Sequence, residues 1–187
     1  MSDHLIQAVL IFISVFLAFW LADYRQKQIE KQQVNTAIEA VINEVSKNKG
    51  VLQRVMPALQ NTIERTEAFL ENSLDTVKGF NEYYLTAGEL RFNELLTADS
   101  YHYLNQNNIY ITIEKRLLIN RIYKQQEYVE SAIDELIRFY KQRELFDPEK
   151  TTENYIIFYS LTREMEGQNT AMIREYELAL NLLKNQD

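Results

Sequence analysis

The chain contains no cysteine among its 187 residues, which excludes a disulfide framework, thiol chemistry and any cysteine-ligated zinc or iron–sulfur centre. Glycine occurs four times and proline twice, about a quarter of their usual combined share of roughly 12%. A β-rich fold needs such residues at its turns, so long helices are expected instead. The same scarcity leaves no material for a Walker-type phosphate loop, a Gly-x-Gly-x-x-Gly turn or a Gly-x-Ser-x-Gly nucleophile elbow, and none occurs. Histidine is limited to His4 and His102, and no Glu-x-x-His pair of the kind used by di-iron bundles is present. Asp99 and His102 lie three apart, yet His102 reads as an aromatic ring in or at the edge of the core. No metal or other cofactor is expected. With a formal charge of −7, the chain is not expected to bind nucleic acid.

What the chain does have is apolar sequence, 46% against 25% charged. From Leu5 to Ala22 there are eighteen residues without a charge, a helix of about 27 Å at roughly 1.5 Å per residue, which matches a bilayer core. Trp20 and Tyr24 fall at one end, where amphipathic rings favour the headgroup layer, and Asp23 and Arg25 close the run. The residues before it carry no lysine or arginine and no Ala-x-Ala site follows, so an uncleaved anchor is expected rather than a signal peptide. Arg25, Lys27 and Lys31 lie just beyond the span and place the C-terminal side in the cytoplasm by the positive-inside rule. The expected organisation is a membrane anchor over residues 1–24 and a cytoplasmic helical stalk and bundle over residues 25–187.

Within the span, Ser14, Ala18 and Ala22 recur every fourth residue and Gln7 continues the stripe. Small residues allow two helix backbones to approach closely in lipid, and an intramembrane glutamine seeks a hydrogen-bond partner. These four residues form a candidate self-association face.

Beyond the span, Val34, Ile38, Val41, Val45, Leu52, Val55 and Leu59 follow steps of four and three, interrupted by polar Asn48. This is a heptad seam. One helix is expected from the membrane to about Met56, with Pro57 kinking it or starting a new segment. Helical pattern resumes through Ile63, Phe69 and Leu70. Turns are expected between Glu71 and Gly88 around a short helical piece at Phe80 to Leu85. Thr97 reads as the N-cap of a short helix reaching about Leu104, ended by the run Asn105 to Asn108, since asparagine tolerates the left-handed conformation. Thr112 caps a helix to about Phe146 with a seam at Leu118, Ile122, Gln125, Val129, Ala132, Leu136 and Phe139, stopped by Asp147-Pro148. A last helix, from about Thr151 or Thr152, shows Tyr155, Phe158, Met165, Met172, Tyr176, Ala179 and Leu183 at the same spacing. Two long helices joined by so short a turn are expected to pack antiparallel, so the fold class is all-α: a transmembrane helix continuing into a stalk helix, with an antiparallel bundle.

The order of features, Trp20-x-x-Asp23-x-Arg25 closing an apolar span, a charged stalk, then Leu96-Thr97-x-x-x-Tyr101-x-x-Leu104 leading into Glu114-Lys115-Arg116, resembles a broad group of uncharacterised bacterial single-pass membrane proteins with helical cytoplasmic regions. The resemblance implies a bacterial inner membrane and brings no activity, cofactor or catalytic residue. This chain differs in carrying Asn108 where members of the group often have glycine, and in lacking basic residues before the span.

Lys115, Arg116, Arg121 and Lys124 are the densest group of cations, with Tyr101, Tyr103, Tyr110 and Tyr123 nearby, a composition that can hold a nucleotide or a single strand. At 100° per residue they spread over the side opposite Leu118 and Ile122, as on an ordinary solvated helix. The function expected is a non-catalytic, membrane-anchored interaction or sensory module, contacting the lipid bilayer through its span and a protein partner or a second copy through its heptad seams. The alternative is an oligomeric membrane effector or channel governed by the bundle, with Gln7, Ser14, Ala18 and Ala22 at the contact between copies.

Overall fold

The computed structural model describes residues 2–72, 80 and 96–184. Among them there is no strand. Four helices follow in order: α1 (Ser2–Asn72), α2 (Asp99–Gln106), α3 (Ile113–Tyr140) and α4 (Thr151–Lys184), with two 3₁₀ turns, Arg143–Phe146 and Pro148–Lys150, between the last two. Apart from Phe80, which is helical and buried, the turns and short helix expected between Glu71 and Gly88 lie largely outside the described residues.

The 71 residues of α1 run without a break, a rod of roughly 105 Å. Among the described residues it is the one helix long and apolar enough to cross a membrane. Ile6 to Leu21 include many large apolar side chains, and those described lie exposed, Phe12 and Phe19 both 72%. An apolar surface of this kind over several turns is of the length and composition that could span a membrane.

The expectation of a new segment at Pro57 is not met, because the helix continues to Asn72. Pro57 faces solvent, whereas Leu59, Ile63, Thr66 and Phe69 beyond it are buried. Their packing offsets the lost backbone hydrogen bond and ring clash, about 3 kcal/mol in an unsupported helix.

The seam of α1 is used within the chain. Ile38, Val41, Val45 and Leu52 join Ile119, Ile122 and Val129 of α3 and Met172, Tyr176, Ala179 and Leu183 of α4 in a core near the apolar segment. A second core farther along holds Leu59, Ile63, Phe69, Phe80, Ala132, Leu136, Phe139, Leu145, Tyr155, Phe158 and Met165. Its centre is aromatic: the Phe80 ring meets Phe139, Tyr155 and Phe158 at centroid distances of 5.4, 5.1 and 5.3 Å, edge-on or tilted as ring quadrupoles prefer. Lys49 of α1 pairs with Glu177 of α4 at 2.9 Å, and the Tyr159 hydroxyl of α4 donates to Glu67 of α1 at 3.0 Å. Arg121, early in α3, pairs with Glu175 late in α4, whereas Phe139, late in α3, stacks on Phe158 early in α4.

Local signals set several boundaries. Thr112 is the N-cap of α3, its side chain accepting from the Lys115 N–H, and Asn108 takes the left-handed conformation at φ 48°. The seam of α3 is shifted at two places, with Ile119 and Gln126 buried where Leu118 and Gln125 are half-buried. The helix ends at Tyr140, short of the expected Phe146. The Lys141 and Gln142 N–H groups bond to Arg138 and Phe139 carbonyls, tightening the last turn, and the following 3₁₀ turn buries Leu145 in the second core. Asp147 then accepts the Glu149 N–H and opens the turn at Pro148.

Candidate functional site: a buried polar cluster and an exposed helix face

Glu44 and Asn48 are one helical turn apart on α1, and both point into the molecule. The Glu44 carboxylate accepts the Asp99 N–H at 2.8 Å, the Ser100 N–H at 3.1 Å and the Tyr123 hydroxyl. These N–H groups are unpaired donors of the first turn of α2, the positive end of its dipole. The expected cap at Thr97 is therefore corrected. Ala98 is the N-cap, and its methyl group can make no side-chain bond; the Glu44 carboxylate from α1 accepts the first-turn N–H groups instead, in charge-assisted bonds.

Thr97 is held by its backbone. Its N–H donates to Asn48 Oδ1 at 3.1 Å and its carbonyl accepts from Asn48 Nδ2 at 2.8 Å, so one amide side chain satisfies both main-chain groups. Gln126 continues the cluster: its Oε1 accepts from Asn48 at 3.2 Å and from the Tyr176 hydroxyl at 2.8 Å, and its Nε2 donates to Glu130 and to the Thr97 carbonyl. The Tyr101 ring stacks on Tyr123 at 4.6 Å. The cluster thus fastens the segment from Thr97 to Tyr101 onto α1, α3 and α4. Burial raises the acidities' midpoint of both phenols above the ordinary tyrosine value, reinforced at Tyr123 by its hydrogen bond to and the charge of Glu44. Both remain neutral donors at any ordinary pH.

Asn169 of α4 is different. It is 0% exposed, and neither its amide nitrogen nor its oxygen has a hydrogen-bond partner among the described residues. Along α4 it lies between Met172, which belongs to the first core, and Met165, which belongs to the second. The buried hydroxyls of Thr62, Thr66 and Thr162 instead return to carbonyls of their own helices.

The four residues of the candidate self-association face all lie exposed on α1, within an arc of about 80° at 100° per residue. The Ser14 hydroxyl donates to the Leu10 carbonyl at 2.8 Å, so its bonding is met inside its own helix. Ala18 and Ala22 share one exposed face of α1 with Leu21, Arg25, Gln26 and Ile29.

The four cations do not form one site. Arg116 donates to the Ile109 carbonyl at 2.9 Å, Arg121 pairs with Glu175, and Lys124 pairs with Glu127 while lying over the Tyr128 ring. Lys115 contributes its backbone N–H to the Thr112 cap. His102 is exposed beside Tyr101, at the edge of the core. No group of three His, Asp or Glu among the described residues is placed to hold a metal ion. Sequence reasoning missed the cluster around Glu44, although Asn48 interrupting an apolar seam, with an acidic residue one turn before it, marked the place.

Comparison with known proteins yields no matching family model, curated protein or solved structure.

Proposed function

We propose that this chain is a membrane-anchored helical interaction or sensory module without catalytic activity, its anchor at residues 1–24 and its stalk and bundle on the cytoplasmic side of a bacterial inner membrane. The observation that carries this reading is the continuity of α1, which joins an exposed apolar segment to a helix whose seam is buried among α3 and α4. The pairs Lys49 with Glu177, Glu67 with Tyr159, and Arg121 with Glu175 support an antiparallel bundle of three long helices. In that bundle the buried polar groups around Glu44 act as a structural clasp. Arg25, Lys27 and Lys31 support the cytoplasmic placement. Because the seam from Ala37 to Leu59 is covered by the chain's own helices, self-association is assigned to the span, and protein partners to the exposed surface of the bundle.

A second reading, an oligomeric effector or channel, draws support from the exposed row Gln7, Ser14, Ala18 and Ala22. One experiment separates the two. Full-length protein is reconstituted in planar bilayers alongside the Ala18→Ile/Ala22→Ile variant, whose bulk blocks close helix approach. The anchored module produces no steady conductance in either form. A conductance present in the parent chain and lost in the variant replaces this reading with the effector.

A further inference from the structure

The turn between α2 and α3 lies against the stalk where α1 leaves its apolar segment. Asn107, Asn108, Ile109 and Tyr110 face Lys27, Glu30, Lys31, Gln33 and Val34 across an open groove of about 470 Å³. Lys27 and Lys31 are three and seven residues beyond Tyr24, about 5 and 10 Å along the helix axis. The headgroup layer of one leaflet is about 5 to 8 Å thick, so the near end of the groove lies at its level and Lys31 just beyond it, within reach of a long side chain.

Its chemistry suits that position. Ile109 and Ile111 are buried in the first core, and Tyr110, between them in the stretch that joins α2 to α3, is turned outward, 86% exposed. An amphipathic aromatic ring in this position gains from a membrane interface what it lacks in water. Residues 23–31 hold three cations, Arg25, Lys27 and Lys31, against two carboxylates, in a chain whose formal charge is −7. Both carboxylates are occupied, Asp23 by Lys27 at 2.7 Å and Glu30 by the Gln26 amide at 2.8 Å. Lys31 and Arg25 have no ion-pair partner among the described residues.

We propose that this groove is a docking surface for the anionic phospholipid headgroups of the membrane that α1 crosses, with Tyr110 lying among the headgroups and Lys31 meeting a lipid phosphate. The inference rests on the membrane-anchored reading above. It makes the bundle a body laid against the bilayer by two contacts, the span and the Tyr110 turn.

The test uses the full-length chain, in which the lack of native cysteine makes a single introduced one unique. Fluorophores at Asn107→Cys and Ser160→Cys are quenched by lipids carrying a spin label near the headgroup, and one at Phe16→Cys by lipids carrying the label on the acyl chain. The vesicles are phosphatidylcholine alone or with one third phosphatidylglycerol. The Asn107 label is expected to be quenched several-fold more than the Ser160 label in the anionic vesicles, and less in the neutral ones. Lys31→Gln lowers the docked-to-free ratio about fivefold, and Tyr110→Ser lowers it without changing the melting temperature. Equal quenching at Asn107 and Ser160 with a strongly quenched Phe16 label overturns the docking and leaves the anchor standing. Equal quenching in both lipids, or release by inorganic phosphate at constant ionic strength, overturns the assignment to anionic lipid. An unquenched Phe16 label removes the membrane-anchored reading and the proposal with it.

Discussion

The Tyr123 hydroxyl donates to the Glu44 carboxylate across the contact between α3 and α1, joining residues 79 positions apart. The same carboxylate holds the first turn of α2, so one side chain connects three helices. Side chains that bridge distant segments this way favour one packing over its near alternatives, because any slip leaves several buried groups unpaired at once.

Replacing Glu44 with alanine strips a buried hydroxyl and two helix N–H groups of their acceptor. The expected loss is about 3 kcal/mol, from bonds to a charged group worth roughly 1.5 to 3 kcal/mol each and partly replaced by water. Glu44→Gln keeps one acceptor oxygen and is expected to lose about half as much. Chemical unfolding in detergent micelles measures both, and the Asp99 and Ser100 amides should exchange hydrogen faster in Glu44→Ala. A variant as stable as the parent would show that the clasp has no energetic weight.

Tyr123 and Tyr176 make stability depend on alkaline pH. Their hydroxyls ionise less readily in the folded chain, first because they are buried. Below the unfolded tyrosine value of about 10, both states hold the proton and stability is unaffected. As pH rises beyond it the unfolded chain loses protons that the folded one keeps, so stability falls by up to about 1.4 kcal/mol per pH unit for each residue. Tyr123→Phe and Tyr176→Phe should each flatten the decline in denaturation curves recorded between pH 9 and 11, to be checked against the parent. An unchanged slope in both would contradict the burial argument.

Asn169 occupies a core position with no partner for its amide among the described residues. Removing an unpaired buried polar group recovers part of its desolvation cost, so Asn169→Leu is expected to raise stability by about 1 to 2 kcal/mol. A higher melting temperature with an unchanged circular dichroism spectrum is the expected readout. A lower one would mean that leucine overfills the space or that the amide is satisfied by water.

Pro57 interrupts the hydrogen bonding of a helix that continues regardless. Pro57→Ala restores the bond at an exposed position, and about 2 kcal/mol of added stability is expected after allowing for the more flexible unfolded chain. Thermal melts of the two forms decide this. No gain would mean that the local backbone has already adapted to the ring.

Features governed by local chemistry were legible in the amino-acid order. The apolar run, the α1 and α4 seams, the Thr112 cap and the Asn108 turn each depend on residues within a turn or two of one another. Those decided by distant residues were not. Thr97 has every local qualification of a cap, but Glu44, 55 residues from the Asp99 it binds, supplies a better acceptor. Pro57 has every local qualification of a break, but the buried side chains from Leu59 to Phe69 carry the helix past it. Gln126 displaces Gln125 from the core because Asn48 and Tyr176 offer it bonds there, which spacing alone does not show. The candidate face Gln7, Ser14, Ala18 and Ala22 lies on one side of α1, whereas the cations, judged by spacing to be a solvated surface, are drawn to separate neighbours.

The uninterrupted backbone of α1 also has a mechanical consequence. A flexible linker would let the bundle swivel freely, but a helix without a break is stiff in torsion, so the angular phase of the bundle about the axis is tied to that of the apolar segment. Each residue added or removed between Tyr24 and Val34 would turn one against the other by about 100° and shift it by about 1.5 Å. A twist imposed at either end would be delivered to the other as torque, which makes the number of residues in the stalk as much a property of the protein as their identity.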